Sequence, residues 1–401
     1  MAETWTKKGW PRAVYGDVVR KVSDRVDVET SALDRYVAGE HMDTDDLRIR
    51  RWGTIGDGYL GPAFHMRFKP GQVLYGSRRT YLRKVAVPDF EGITANTTFV
   101  LEPKDPNVLL PELLPFIMQT ESFHEHSIKQ SKGSVNPYIN FSDLAWYEFA
   151  LPPLNEQSRI ADTLHKAMAV RESTLKLESS ARRALLAVSA KEFEDVLTTT
   201  NDMTSLVDIC SRKPQNGVYK SEGFRGRGVP MIGMRELFGH EVIEDNLDAD
   251  LVDLTPVELK RFELTPSDLL FGRRSVVLEG AGKCIRVGAI AHPAVFESSV
   301  LRVTIDRSIA DSRYVFEWFQ SPKGHQQIRR IVTFTTVSGV AGSDVSRLPV
   351  PLPSLEVQRR IADRLSNVRE QLLVLVARKR ESSELARSVI ERVLEPVYDL
   401  Q

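Results

Sequence analysis

Apolar and polar positions along this chain follow two rhythms, and each occurs twice. Short apolar runs bounded by Gly, Pro and Asp predict strands at 72–75, 97–101, 286–290 and 300–305. Segments 109–121 and 313–320 read as short helices at matching places in the two halves. Elsewhere apolar residues recur in steps of three and four, predicting two long helices. The first follows the break at Pro152-Pro153, takes Asn155 as its N-cap and runs to about Leu197. The second begins after Pro353, with Ser354 or Glu356 near its cap, and Pro396 ends it. Its seam is Ile361, Leu365, Val368, Leu372 and Leu375, the spacing of a coiled coil, with Ala386, Val389 and Val393 further on. The first helix offers Ile160, Leu164 and Ala167, then Leu177, Ala181, Ala184 and Val188. A lone helix would leave such a stripe in water, so the two are expected to pack on each other. About 40 helical residues make a rod on the order of 60 Å long.

The helices open on a duplicated segment. Leu-Pro-Pro-Leu-Asn-Glu-Gln-Ser-Arg-Ile-Ala-Asp-Thr-Leu at 151–164 and Leu-Pro-Ser-Leu-Glu-Val-Gln-Arg-Arg-Ile-Ala-Asp-Arg-Leu at 352–365 agree at nine of fourteen positions. Ser142-Asp143-Leu144 and Ser343-Asp344-Val345 repeat at the same offset of 201. A looser echo pairs 69–76 with 265–272 at an offset of 196, so loops of different length separate the halves. The expected organisation is a mixed β-rich domain at 1–152, a helix at 153–198, a second β-rich domain at 199–352 and a helix at 353–401. The fold class is thus α+β: two β-rich mixed domains joined by two long helices packed as an antiparallel coiled coil, an internal repeat with pseudo-two-fold symmetry. The polar tract 198–202 is the joint between the repeats.

Composition narrows the class without naming it. The 401 residues suit two or more domains, and 54 basic against 54 acidic residues leave no net charge. Phosphate binding would therefore depend on local basic patches rather than on the total. Two cysteines, Cys210 and Cys284, argue against a disulfide framework or a zinc cluster. With neither a leader-like start nor a span of apolar residues, the chain is expected to be cytoplasmic.

A Pro-Leu turn, then Glu/Gln-x-x-x-Ile-Ala-x-x-Leu opening a long helix, twice at half-chain spacing, resembles the DNA specificity subunit of type I restriction-modification systems. Tyr36-Val37-Ala38-Gly39-Glu40-His41-Met42-Asp43, Ile49–Gly53 and the segment Gly228–Leu237 resemble that family's recognition domains. Val357 departs from the pattern, standing where the first repeat has Glu156. The resemblance implies a non-catalytic subunit that reads a bipartite, asymmetric site on double-stranded DNA, one recognition domain to each half. The paired helices would set the spacing and dock two methylation subunits. Adenine-N6 methylation and ATP-dependent cleavage would belong to the assembled complex, with S-adenosylmethionine, ATP and Mg held by partner subunits. Whether restriction subunits join the complex stays open. A duplicated reader suits the local two-fold axes of duplex DNA, with half-sites separated in turns of about 34–36 Å.

Basic clusters fall at comparable places in the halves: Arg78, Arg79, Arg83 and Lys84, then Arg273, Arg274, Lys283 and Arg286. Arginine forks suit guanine edges and phosphates. Arg48, Arg50, Arg51, Arg225 and Arg227 are secondary candidates, and His124, His126, Lys129, Lys132 and Tyr138 could line a DNA face. Catalytic readings are weaker. Asp89 with Glu102 and Lys104 has the outline of a nuclease metal site, an alternative alongside a coiled-coil scaffold that binds only protein. Asn136-Pro137-Tyr138 lacks a proline of the adenine-methyltransferase motif and any glycine-rich loop before it. Gly280–Cys284 fails as a phosphate loop, with Val277 and Cys284 at the positions that require Gly and Ser/Thr. The pair His124 and His126 has no companion ligands at zinc spacing.

Overall fold

The computed structural model describes residues 9–200, 203–245, 248–333 and 337–394. Asn201 and Asp202 of the joint, and Pro396, lie outside the described residues. The long helices span Leu154–Thr199 and Leu355–Leu394. The chain forms two units, one of Met1–Leu175 with Ala377–Gln401, the other Lys176–Val376, so each unit holds part of both helices.

The first unit contains strands β1 (Arg12–Val14), β2 (Val19–Val22), β3 (Arg35–Val37), β4 (Gly53–Thr54), β5 (Phe64–Phe68), β6 (Val73–Gly76), β7 (Val85–Ala86), β8 (Gly92–Ala95), β9 (Thr98–Pro103) and β10 (Glu148–Ala150). They form sheets ordered β2-β9-β6-β7 and β4-β3-β8-β5, and a β1-β10 pair. The second unit contains β11 (Met203–Ser205), β12 (Cys210–Asn216), β13 (Arg225–Ile232), β14 (Val242–Ile243), β15 (Leu251–Val252), β16 (Asp268–Gly272), β17 (Arg274–Ser275), β18 (Cys284–Val287), β19 (Val295–Phe296), β20 (Val300–Ile305), β21 (Ser338–Gly339) and β22 (Pro349–Pro351). Its sheets run β12-β20-β16-β18-β14 and β15-β13-β19, with pairs β11-β22 and β17-β21. The order β2-β9-β6-β7 thus recurs as β12-β20-β16-β18, and β4-β3-β8 as β15-β13-β19 with the same antiparallel and parallel pairings. The sequences of these regions share only a few turns, yet their sheet order is duplicated apart from β5 in the first unit and β14 and the β17-β21 pair in the second.

Some elements differ from expectation. The strand sought at 286–290 is Cys284–Val287, a run buried on both faces that alternation does not reveal. Segment 109–121 is not one helix: Leu114–Ile117 is a single turn, and Thr120 is extended, its hydroxyl accepting from Phe123 N–H to begin the helix Glu121–Lys129. Asn155 lies inside the first long helix rather than capping it, and the Pro153 carbonyl takes the N–H groups of Glu156 and Gln157, both at 2.9 Å. Ser354 does precede the second helix, its hydroxyl 3.5 Å from Val357 N–H.

Within the first unit, Ile160 and Leu164 share a core with Ile390, Val393 and Leu394. Within the second, Leu185, Phe193 and Val196 share one with Ile361, Leu365 and Leu372. There Glu192 meets Arg364 at 2.5 Å, while Leu185 and Ser189 line a small cavity with Arg369 and Leu372. The two helix segments therefore run antiparallel. Val368 packs against this core partly buried, and Leu375 is half-buried. The first helix's seam departs from the expected positions: Leu177 and Ala184 are exposed, while Glu178 and Leu185 are buried. Glu178 and Leu185 lie 14 and 21 residues beyond Leu164, so the buried stripe keeps the heptad phase set there, one residue away from Leu177 and Ala184.

The duplicated glutamine is the hinge of each repeat. Gln157 accepts from Leu110 N–H at 2.8 Å and donates to the carbonyls of Val108 and Pro152, both at 2.8 Å. Gln358 accepts from Asp311 N–H at 2.9 Å and donates to the carbonyls of Ile309 and Pro353 at 3.5 and 2.8 Å. Each is buried and ties the first turn of a long helix to the segment after the last central strand. No described helix is long and apolar enough to cross a membrane.

Candidate nucleic-acid interface

In both units the chain leaves the central strand of the main sheet, β6 or β16, and meets a loop that precedes the last short helix. Arg78 bridges Tyr138 in the first unit; Arg274 pairs with Gly339 in the second. Lys132 bridges Tyr138, as Thr333 bridges Gly339. Supporting hydrogen bonds repeat as well. Ser77 N–H donates to the Thr97 carbonyl at 3.0 Å, and Arg273 N–H to that of Ser299 at 2.8 Å. Ile139 N–H donates to the Ser77 carbonyl and Val340 N–H to that of Arg273, each at 3.0 Å. The same backbone frame therefore presents an arginine at one equivalent position, Arg78 or Arg274, which Arg79 follows in the first unit and Arg273 precedes in the second.

The side chains on the two frames differ. In the first unit the Arg78 guanidinium lies 5.1 Å from the Tyr138 ring centre, and Tyr81 and Val135 are exposed. Arg79 is held at φ +51°, ψ +59°, a conformation costly for a residue with a Cβ. Its N–H donates to the Pro137 carbonyl at 2.6 Å and its Nε to Asn136 Oδ1 at 3.3 Å, so the loop fixes the arginine in place. In the second unit a groove of about 1090 Å³ is lined by Lys213, Asn216, Arg273, Arg274, Ser343 and Arg347. Sequence reasoning missed Lys213 and Arg347. Arg347 follows the repeated Ser-Asp turn, and Trp146, 79% exposed, stands at the equivalent position of the first unit.

Half of the arginine and lysine candidates face elsewhere. Arg83 is enclosed by ion pairs, its Nε 3.0 Å from Asp45 and its Nη1 2.7 Å from Glu121. Lys84 donates to the Gly39 carbonyl and Lys283 to that of Phe238, equivalent ties whose partial burial lowers both ammonium pKa values. Arg286 sits at the opposite end of its sheet from Arg274. Of the secondary candidates, Arg50 binds Asp46 and Glu172, both at 2.7 Å, and Arg48 lies 3.9 Å from Glu172. Arg51 pairs with Asp43, Arg225 with Glu222 and Arg227 with Asp253. His124 is buried, its pKa lowered to about 3 by burial and by Arg83 and Arg387. His126 contacts the Asp143 carbonyl at 2.8 Å, Lys132 pairs with Asp143 at 2.8 Å, and Lys129 is exposed.

The nuclease outline does not assemble. Glu102 is taken by Arg20 and Gln72, which hold its pKa down despite partial burial, and Lys104 donates to the Gly16 carbonyl. Asp89 is exposed on the turn before β8. Among the described residues no three His, Cys, Asp or Glu side chains are grouped to hold a metal ion.

Residues 54–178 match the model of the type I restriction modification DNA specificity domain. Over that span the chain is similar to the type I restriction-modification specificity family. It is 26% identical over 287 residues to the type I restriction enzyme EcoKI specificity subunit of Escherichia coli K12, a match covering 65% of this chain but only 60% of that relative. The MjaVIII specificity subunit of Methanocaldococcus jannaschii is 21% identical over 324 residues, covering 76% of this chain and 73% of that one. The crystal structure of the type I restriction-modification S subunit from M. genitalium aligns over 97% of both chains with a TM-score of 0.58 at 12% identity. At that identity the alignment speaks for the shared α+β fold alone.

Proposed function

We propose that this chain is the non-catalytic, DNA-reading subunit of a type I complex. Each unit would read one half of a bipartite site on double-stranded DNA. The observation that carries this reading is the duplicated frame that presents Arg78 in one unit and Arg274 in the other, each beside a second arginine, Arg79 or Arg273. Arginines aimed from a fixed backbone suit base edges and phosphates. The side chains around the two frames differ, with Tyr138 and Asn136 in one and Lys213 and Arg347 in the other, which favours two unlike half-sites. The antiparallel helix segments would set the spacing and dock two methylation subunits. S-adenosylmethionine, ATP and Mg would be bound by those partners and by any restriction subunit.

Exchanging residues 1–150 for those of a relative tests the reading. The methylated sequence in the host's DNA should change in one half only. An unchanged sequence would favour a scaffold role, and methyl transfer by this chain alone would sink the non-catalytic reading.

A further inference from the structure

A second cationic cavity lies at the other end of the five-stranded sheet in the second unit. The groove described above opens where β16 ends and β20 begins; this one opens before β16 and after β18 and β20. It has a volume of about 350 Å³, and four arginines line it: Arg286, Arg307, Arg313 and Arg359. Asp311 is the one acidic side chain in the lining, and it is occupied by Arg313 at 2.9 Å. Asp363 also pairs with Arg313, at 2.6 Å. Arg286 is half-buried, and among the described residues neither it nor Arg359 has an ion-pair partner. Among the described residues, Arg307 meets the Ser267 hydroxyl at 2.6 Å and no carboxylate. Burial lowers the Arg286 guanidinium pKa although Glu317 and Glu244 oppose the shift, so an anion entering the cavity would further offset the cost of burying it.

The fold does not require these arginines. The glutamine ties around Gln157 and Gln358 are the same in both repeats, so the surrounding backbone is common to both units. Yet the positions equivalent to Arg307 and Arg313 are Pro106 and Glu112, and those equivalent to Arg286 and Arg359 are Val87 and Ser158. One repeat carries four cations where the other carries one acid and no cation. The cavity's size falls within the range of small-ligand sites, roughly 300–1,000 Å³. Converging guanidinium forks match phosphate oxygens better than a single carboxylate.

We propose that this arginine cavity is a binding site for a free oligophosphate, the class that includes the triphosphate chain of a nucleotide. It is separate from the DNA groove and present in the second unit only. The proposal does not depend on the DNA reading. Calorimetric titration of the full chain with sodium tripolyphosphate should give saturable binding. Replacing the two exposed arginines together, Arg307→Gln with Arg359→Gln, should weaken it by at least about tenfold, as expected for lost charge-assisted hydrogen bonds. Arg286→Gln should weaken it too, with an unchanged melting temperature as the control for folding. Duplex DNA affinity of the double variant should equal that of the parent. Absent or non-saturable tripolyphosphate binding, or binding unaffected by the double change, overturns the proposal. A fall in duplex affinity also overturns it, because the arginines would then serve the DNA backbone.

Discussion

Arg369 donates from Nε and Nη2 to the two carboxylate oxygens of Glu317, at 2.9 and 2.6 Å, with both side chains buried. Glu241 takes the remaining face of the guanidinium. This joins the second long helix to the helix Ser312–Gln320 inside the second unit, at a seam position between Leu365 and Leu372. Removing one partner leaves the other charged and dry. Arg369→Ala should lower stability by about 3–5 kcal/mol, whereas Arg369→Met with Glu317→Leu should cost far less. Urea denaturation of the single and double variants measures the difference.

The stitching glutamines make a paired prediction. Gln157→Ala or Gln358→Ala strands backbone groups on the neighbouring segment and should cost about 1–3 kcal/mol each. Hydrogen exchange should quicken at Leu110 N–H for the first variant and Asp311 N–H for the second. Similar losses in both would show that the tie is equivalent in the two repeats.

Arg79 separates stability from recognition. A glycine adopts its left-handed backbone readily, so Arg79→Gly should leave stability within about 1 kcal/mol of the parent or raise it. The same change should weaken DNA binding and flatten the salt dependence of binding by about one unit of slope. Melting curves and duplex titrations at several salt concentrations test both parts. Unaltered DNA affinity would remove Arg79 from the interface.

His124 gives an acid-side signature. Folded, it stays neutral down to about pH 3, and both ring nitrogens lack partners among the described residues. Unfolded, it takes a proton near its ordinary pKa of about 6.5. The unfolded chain therefore binds more protons below that value, and stability falls as the pH drops from about 6.5 towards 3. The loss is at most about 1.4 kcal/mol per unit from this group. In His124→Phe the slope of unfolding free energy between pH 6 and 4 should be shallower than in the parent.

Spacing gives the last test. Four residues inserted after Thr199, at the end of the first long helix, should change the distance between the half-sites and leave both half-sequences intact. Mapping methylated bases in DNA from the host would report it, and constant spacing would count against the helices as a ruler.

Local periodicity made the helices legible, since Ile361, Leu365 and Leu372 lie within three turns of one another and are buried together. The phase of the first seam was harder to read. Leu177 is apolar but lies off the buried stripe, and Glu178 is on it. The arginine pairs stood out because they follow a repeated strand ending. What consumes Arg83, Lys84 and Lys283 was hidden, because Asp45, Gly39 and Phe238 lie tens of residues away and only the folded sheets bring them close. The duplicated β topology was hidden for a related reason. A strand's place depends on which faces it buries, which many different apolar residues satisfy.

The division of the long helices between the units bears on the order in which the chain matures. The second unit is one continuous stretch, Lys176–Val376, and can close as soon as that stretch is made. The first has most of its residues synthesised early, yet its core includes Ile390, Val393 and Leu394. Its apolar surface around Ile160 and Leu164 must wait, unsealed, while some two hundred further residues emerge, and a nascent chain in that interval is a natural client for chaperones.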